Sequence, residues 1–178
     1  MQIFSFSNYK YLIEKAKYEL NQLEKVNDNL QSEYIITNII FTLNHIYDWF
    51  LLDEDIEPEY KTQIINKFNP YDNINSVNKS FIEYYLKINI FPKLNLYQKT
   101  IRDLCNKIKH STKKEIEYSS KIYNSLCGEM MMQCGESKAQ CGAFYFQYYV
   151  KIGEDEIIVF ELLKKLIDEW NNIELKKI

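Results

Sequence analysis

The stretch YIITNIIFTLNHIYDWFLL, residues 34 to 52, constrains the fold more than any other. A helix that is apolar on nearly every side must be buried, either in a protein core or in a bilayer. This one is close to the roughly 20 residues that span a membrane. Asn38, Asn44, His45 and Asp48 interrupt it, however, and polar groups at membrane depth are expensive. The stretch therefore predicts a core helix over about residues 30 to 52, and no membrane association.

The flanking segments supply helices to cover it. Residues 8 to 26 place Leu12, Ala16, Leu20 and Leu23 on one helical face, with Ser7 as a possible N-cap. Pro58 suits the first turn of a short helix through EYKTQIINKF. NPYDNINSVN is turn-rich. KSFIEYYLKINI reads as a helix that stops near Phe91 and Pro92, and residues 93 to 113 as the next helix. After Lys114 the period changes from helix-like to two. Ala143 to Ile152 and Glu156 to Phe160 read as strands paired around Gly153. The closing helix puts Leu162, Leu163, Leu166, Ile167 and Trp170 on one side. The expected fold is mainly α, a helical bundle of five or six helices with a small antiparallel β-hairpin before the C-terminal helix. One domain is expected over 1–178: bundle about 8–113, β element about 128–160, C-terminal helix about 161–175.

A net charge of −3 argues against a uniformly basic surface. It leaves room for a local patch at Lys107, Lys109, Lys113 and Lys114. The opening MQIFSFSNYKYL lacks a basic segment followed by an apolar run, so no secretory signal is expected, and the expected compartment is the cytoplasm.

Cys127, Cys134 and Cys141 each precede a glycine, seven residues apart, in CGEMMMQCGESKAQCG. Three glycines make a helix costly there, at about 1 kcal/mol each. A single strand would send successive thiols to opposite faces. Zinc needs four ligands, usually with close cysteine pairs, and would have to recruit Cys105 or His110. Reversible disulfide chemistry and a lone thiol nucleophile with a histidine base are the other functional options, and nothing singles out one cysteine for the latter. The expectation is structural: turns at the Cys-Gly steps, no metal and no obligatory disulfide.

Two polar stripes are more informative. On IRDLCNKIKH, Ile101, Leu104, Cys105 and Ile108 make one face, while Asp103, Asn106 and His110 fall within about 60° on the opposite one. Arg102 and Lys109 line an edge of that stripe. The Tyr-, Ile-, Asn- and Lys-rich composition has the look of an AT-rich genome, in which lysine readily serves as a generic cation. The single arginine, Arg102, therefore hints at a forked contact to carboxylate or phosphate. On the apolar helix Asn38, Thr42, His45 and Asp48 form a second stripe. Buried polar groups need partners, so His45 and Asp48 are expected to approach Asp103, Asn106 or His110. The two histidines with Asp48 and Asp103 could instead hold a metal between helices.

The pattern H-x-x-D-W (His45, Asp48, Trp49) followed by D-x-x-N-x-x-K-H (Asp103, Asn106, Lys109, His110) resembles a group of small bacterial and phage helical proteins. More distantly the chain is similar to HEPN domains. These are helical bundles that often dimerise and often act as metal-independent ribonucleases in toxin and phage-defence systems. Their R-x4-6-H motif corresponds here to Arg102 and His110, with seven residues between. The resemblance implies a cytoplasmic homodimer binding or cleaving RNA without a cofactor or metal. His110 would then be the general acid or base, Arg102 and Lys109 would stabilise phosphate charge, and Asn106 would orient the scissile group. His45, Asp48 and Asp103 would be the supporting polar core. The alternative is a non-catalytic subunit that binds a protein partner and whose polar core is structural.

Overall fold

The computed structural model describes residues 8–26, 28–110, 118–124, 144–152 and 154–173. Among them are six α-helices: α1 (Tyr9–Leu23), α2 (Asn29–Leu52), α3 (Pro58–Phe68), α4 (Ile82–Leu86), α5 (Leu96–His110) and α6 (Val159–Asn171). A 3-10 turn, Ile74–Ser76, lies between α3 and α4. Strands β1 (Tyr118–Asn124), β2 (Phe144–Ile152) and β3 (Asp155–Ile158) form one antiparallel sheet in that order before α6. The protein is mainly α with a small antiparallel β element, as the periodicities imply.

Helix α2 is the axis of the core. It is long and apolar enough to cross a membrane, yet its buried side chains from Ile39 to Leu51 pack inside the protein. Helices α1, α5 and α6 all lie against it. Asp28 starts it by accepting a hydrogen bond from the Gln31 amide at 2.8 Å. Ala16, fully buried on α1, has no side chain beyond Cβ to hold the two helices apart.

Trp170 of α6 joins three elements. Its ring stacks on Phe68 of α3 at 4.2 Å, and its indole N–H donates to Gln98 Oε1 of α5 at 3.3 Å. That bond explains how a glutamine can sit fully buried on α5. Asn95 fixes the start of α5: its Oδ1 accepts from the Gln98 amide at 2.9 Å, and its Nδ2 donates to the Lys67 carbonyl at 2.9 Å. One side chain thus caps α5 and satisfies a carbonyl at the end of α3.

Three expectations need correction. The sheet has a third strand, β1, paired with β2 from Tyr118↔Val150 to Asn124↔Phe144. Its Ser119 and Lys121 hid it, because they serve the polar face. Both reach Glu156 of β3, at 2.9 and 2.7 Å. Second, β3 ends at Ile158, and Val159 already belongs to α6. Val159, Leu162, Leu163, Leu166, Ile167 and Trp170 are one buried helical face, so the apolar run that looked like strand is half helix. Third, the helix expected through residues 79 to 90 shrinks to α4. Phe81 and Tyr85 are its buried anchors, a single turn apart, while Leu86 and Ile90 are exposed. The predicted pairing of residues 143 to 152 with 156 to 160 is otherwise met in register by Lys151↔Glu156 and Val150↔Ile157. Cys127, Cys134 and Cys141, and with them the turn, metal and disulfide readings of that repeat, lie outside the described residues.

Candidate functional site

Packing of α5 on α2 creates the main cluster of ionisable side chains between the two helices. His45 and Asp48, three residues apart, lie on one side of α2. Arg102 and Lys109, seven apart on α5, differ by about 20° in helical angle and come to the same side. Lys109 Nζ lies 3.2 Å from His45 Nε2. His45 Nδ1 lies 3.9 Å from Asp48 Oδ2, and Arg102 Nη1 lies 3.8 Å from Asp48 Oδ1. The cluster opens to solvent on the histidine side: the His45 side chain is 42% exposed, against 19% for Asp48 and 21% for Arg102.

These contacts assign the histidine tautomer. A lysine ammonium only donates, so the His45 Nε2 facing it must accept. The ring proton then sits on Nδ1, facing the Asp48 carboxyl. Burial lowers the His45 pKa, and the Lys109 charge lowers it further; Asp48 pulls the other way. His45 is therefore neutral at pH 7. Burial raises the Asp48 pKa, opposed by Arg102, His45 and Lys109.

Among the described residues Arg102 is held by the Tyr71 ring and by the Asp48 charge rather than by hydrogen bonds. Its guanidinium carbon lies 4.6 Å from the Tyr71 ring centroid. At 3.8 Å the Asp48 contact is an ion pair and too long for a hydrogen bond. Among the described residues Asp48 Oδ1 is accordingly buried without a hydrogen bond, and the Tyr71 hydroxyl faces the Asn78 backbone without one of normal geometry. Tyr71 comes from the turn-rich segment after α3, where nothing in the sequence marks it as part of a site.

The expected partners are arranged differently. Asp103 pairs with Lys99 at 3.4 Å, and Lys99 also bonds Asp72 at 2.8 Å. Asn106 is half-buried and His110 is exposed in the last turn of α5. Among the described residues no hydrogen bond or ion pair joins Asn106 or His110 to His45 or Asp48. So α5 does meet the His45–Asp48 pair, but through Arg102 and Lys109. Thr42 departs from the α2 stripe altogether. Its hydroxyl donates to the Asn38 carbonyl at 2.8 Å and accepts from Lys15 of α1 at 2.6 Å. Cys105, fully buried behind Lys109, has its thiol pKa pushed up by burial, which makes it a packing residue. Among the described residues no group of three or more His, Cys, Asp or Glu side chains is placed to hold a metal ion.

Chemically the arrangement offers an ammonium against a neutral imidazole and a guanidinium against the recessed carboxyl next to it. Compared with family models, curated proteins and solved structures, the chain matches none.

Proposed function

We propose that this is an RNA-directed, metal-independent protein of HEPN-like type, acting in the cytoplasm in a toxin, defence or phage-host setting, as a homodimer. The observation that supports the reading most is the placement of Lys109 against a neutral imidazole and of Arg102 against the carboxyl three residues on, where α5 packs on α2. Cations so placed attract a phosphodiester, and a neutral imidazole can accept a proton near pH 7. In this reading Arg102 and Lys109 hold phosphate, and Asn106 and His110 on the outer turn of α5 contact the neighbouring nucleotide. Asp48 keeps Arg102 in place, and Asp103 holds Lys99 on the same helix. The test is incubation of purified protein with RNA, with and without chelator, beside His45→Ala, Arg102→Ala and His110→Ala. Cleavage that survives chelation, is lost in the His45 and Arg102 variants and is weakened in the His110 variant supports the reading.

A second reading, a non-catalytic interaction subunit, draws on the exposed Tyr11 and Tyr18 of α1 and Leu30 and Tyr34 of α2. Folded protein that neither binds nor cuts RNA favours it.

A further inference from the structure

The contact between Lys109 and His45 has an unusual property. It couples a strong donor to the one lone pair that a neutral histidine would use as a base. In the free protein the His45 Nε2 is therefore capped. The cap is an exposed lysine at the end of α5, so it can be drawn away by a better acceptor. Phosphate is such an acceptor, because ionised oxygens form shorter and stronger bonds with ammonium than a neutral nitrogen does.

Arg102 supplies the second hand. It is the only arginine, its guanidinium carbon lies 4.6 Å from the Tyr71 ring centroid, and its ion pair with Asp48 is too long to use an N–H. Among the described residues no hydrogen bond uses its donors, which is the state that suits bidentate capture of an oxyanion. Asp48, the charge that would repel an anion, is recessed behind the imidazole and faces it with Oδ2. The ionisable groups around His45 are Asp48 on its own helix and Arg102, Cys105 and Lys109 on α5. Tyr71 lies beneath Arg102. Counting Arg102 and Lys109 as positive, Asp48 as negative and His45 as neutral leaves one positive charge.

We propose that Arg102, Lys109 and His45 form a single phosphate-binding site spanning α5 and α2, in which the bound phosphate takes Lys109 from His45 Nε2 and uncaps it. The ligand class is a phosphate group, in the first instance that of a phosphodiester chain, which rests on the RNA reading above. Asp48 is a positioning residue: its charge, 3.9 Å from Nδ1 and too far for a hydrogen bond, favours the Nδ1–H tautomer electrostatically, so that Nε2 faces the ligand.

The protein has two histidines, so their ring nitrogens can be followed individually by NMR. In the free protein at neutral pH His45 should show protonated Nδ1 and bare Nε2. Addition of inorganic phosphate, and separately of a short oligouridylate, should shift the His45 resonances and leave those of His110 nearly unmoved. Saturation with either should raise the His45 pKa, since the Lys109 charge is then neutralised. Lys109→Met should raise that pKa without ligand and weaken phosphate binding about tenfold or more, the worth of one charge-assisted hydrogen bond. Lys109 is exposed, so this variant folds even if Arg102→Lys does not. A proton on Nε2 in the free protein, a response at His110 alone, no response at either ring, or undiminished binding by Lys109→Met would each overturn the proposal. A response to inorganic phosphate but not to oligouridylate keeps the site and removes the phosphodiester assignment. Phosphate binding here without RNA cleavage removes the nuclease reading and keeps the site. Cleavage with no response at His45 does the reverse.

Discussion

Removing one buried oxygen, in Tyr85→Phe, tests the polar core next to the cluster. The Tyr85 hydroxyl donates to Asn69 Oδ1 at 2.8 Å and lies 2.6 Å from the Tyr47 hydroxyl. A phenol has one hydrogen, so Tyr47 must be the donor in the second bond. Burial raises the pKa of both hydroxyls; the shared bond raises that of Tyr47 and lowers that of Tyr85, as donor and acceptor should. Asn69, fully buried, spends everything it has. Its Nδ2 donates to the Tyr71 and Pro92 carbonyls at 2.9 Å each, and its Oδ1 also accepts from the Tyr71 amide at 3.0 Å.

Tyr85→Phe keeps the ring and deletes the junction. It takes one of two partners from Asn69 Oδ1, costing about 1 kcal/mol, and leaves the Tyr47 hydroxyl buried and unpaired, costing about 1–3 kcal/mol. The expected loss is about 2–4 kcal/mol. Tyr47→Phe loses only a bond that Tyr85 received, so about 1 kcal/mol is expected. The two effects should not add. With both hydroxyls gone no orphan remains, and the double variant should be as stable as Tyr85→Phe or more so. Urea unfolding of the four proteins, read by midpoint at constant m-value, measures this as a double-mutant cycle. Additive losses would refute the network. A larger cost for Tyr47→Phe than for Tyr85→Phe would show that the donors run the other way.

Asn69→Asp should cost about 3 kcal/mol or more, since it removes both donors and buries a charge; thermal melts at neutral pH check it. Trp170→Ala should lose about 3–5 kcal/mol by opening the space between Phe68, Phe50 and Tyr47, while Trp170→Phe should lose clearly less; denaturation curves rank them. For pH, the folded His45 pKa lies below its unfolded value of about 6.5, so the unfolded chain binds more protons in that window and stability falls on acidification below about pH 6.5. Asp48, raised by burial, opposes this from its own window upward from about pH 3.8, where stability falls as pH rises. His45→Gln should remove the first trend and leave the second, measured by melts from pH 4 to 8.

The helices were legible where one face carried the whole signal. Leu12, Ala16 and Leu20 on α1, and the Leu162 to Trp170 face of α6, are buried as their spacing requires. The chain was harder to read where an element owes its existence to a neighbour. Tyr118, Ile122 and Tyr123 suit a strand, but Ser119, Ser120 and Lys121 between them break the alternation; β2 supplies its hydrogen bonds and Glu156 answers its Ser119 and Lys121. In the same way α4 is short because the chain must return to deliver Phe91 and Pro92 to Tyr85 and Asn69. Periodicity says which side of a segment is apolar, and says little about when tertiary contacts will end it.

The site shows the same limit one level up. Helical angles placed Asp103, Asn106 and His110 opposite Ile101 and Cys105, which is correct as local geometry. Opposite the buried face, however, means away from α2. A side chain that meets another helix must sit at the border of the buried face and be long enough to reach along it. Arg102 and Lys109 satisfy both conditions; Asp103 and Asn106 satisfy neither. Gln98, Ile101 and Cys105 mark the centre of the buried face, and Ile108, 43% exposed, shows that the face is rotated away from the Leu104–Ile108 edge. That rotation turns Arg102 and Lys109 toward His45 and Asp48. The stripe on α2 is subject to the same geometry. From Thr42 to His45 to Asp48 the steps of three residues drift by about 60° each. Thr42 therefore faces Lys15 of α1 while His45 and Asp48 face α5. A row of polar residues that looks continuous in sequence is shared between two neighbours. The useful question to put to such a row is which border of the buried face each member occupies, and whether its side chain is long enough to cross it.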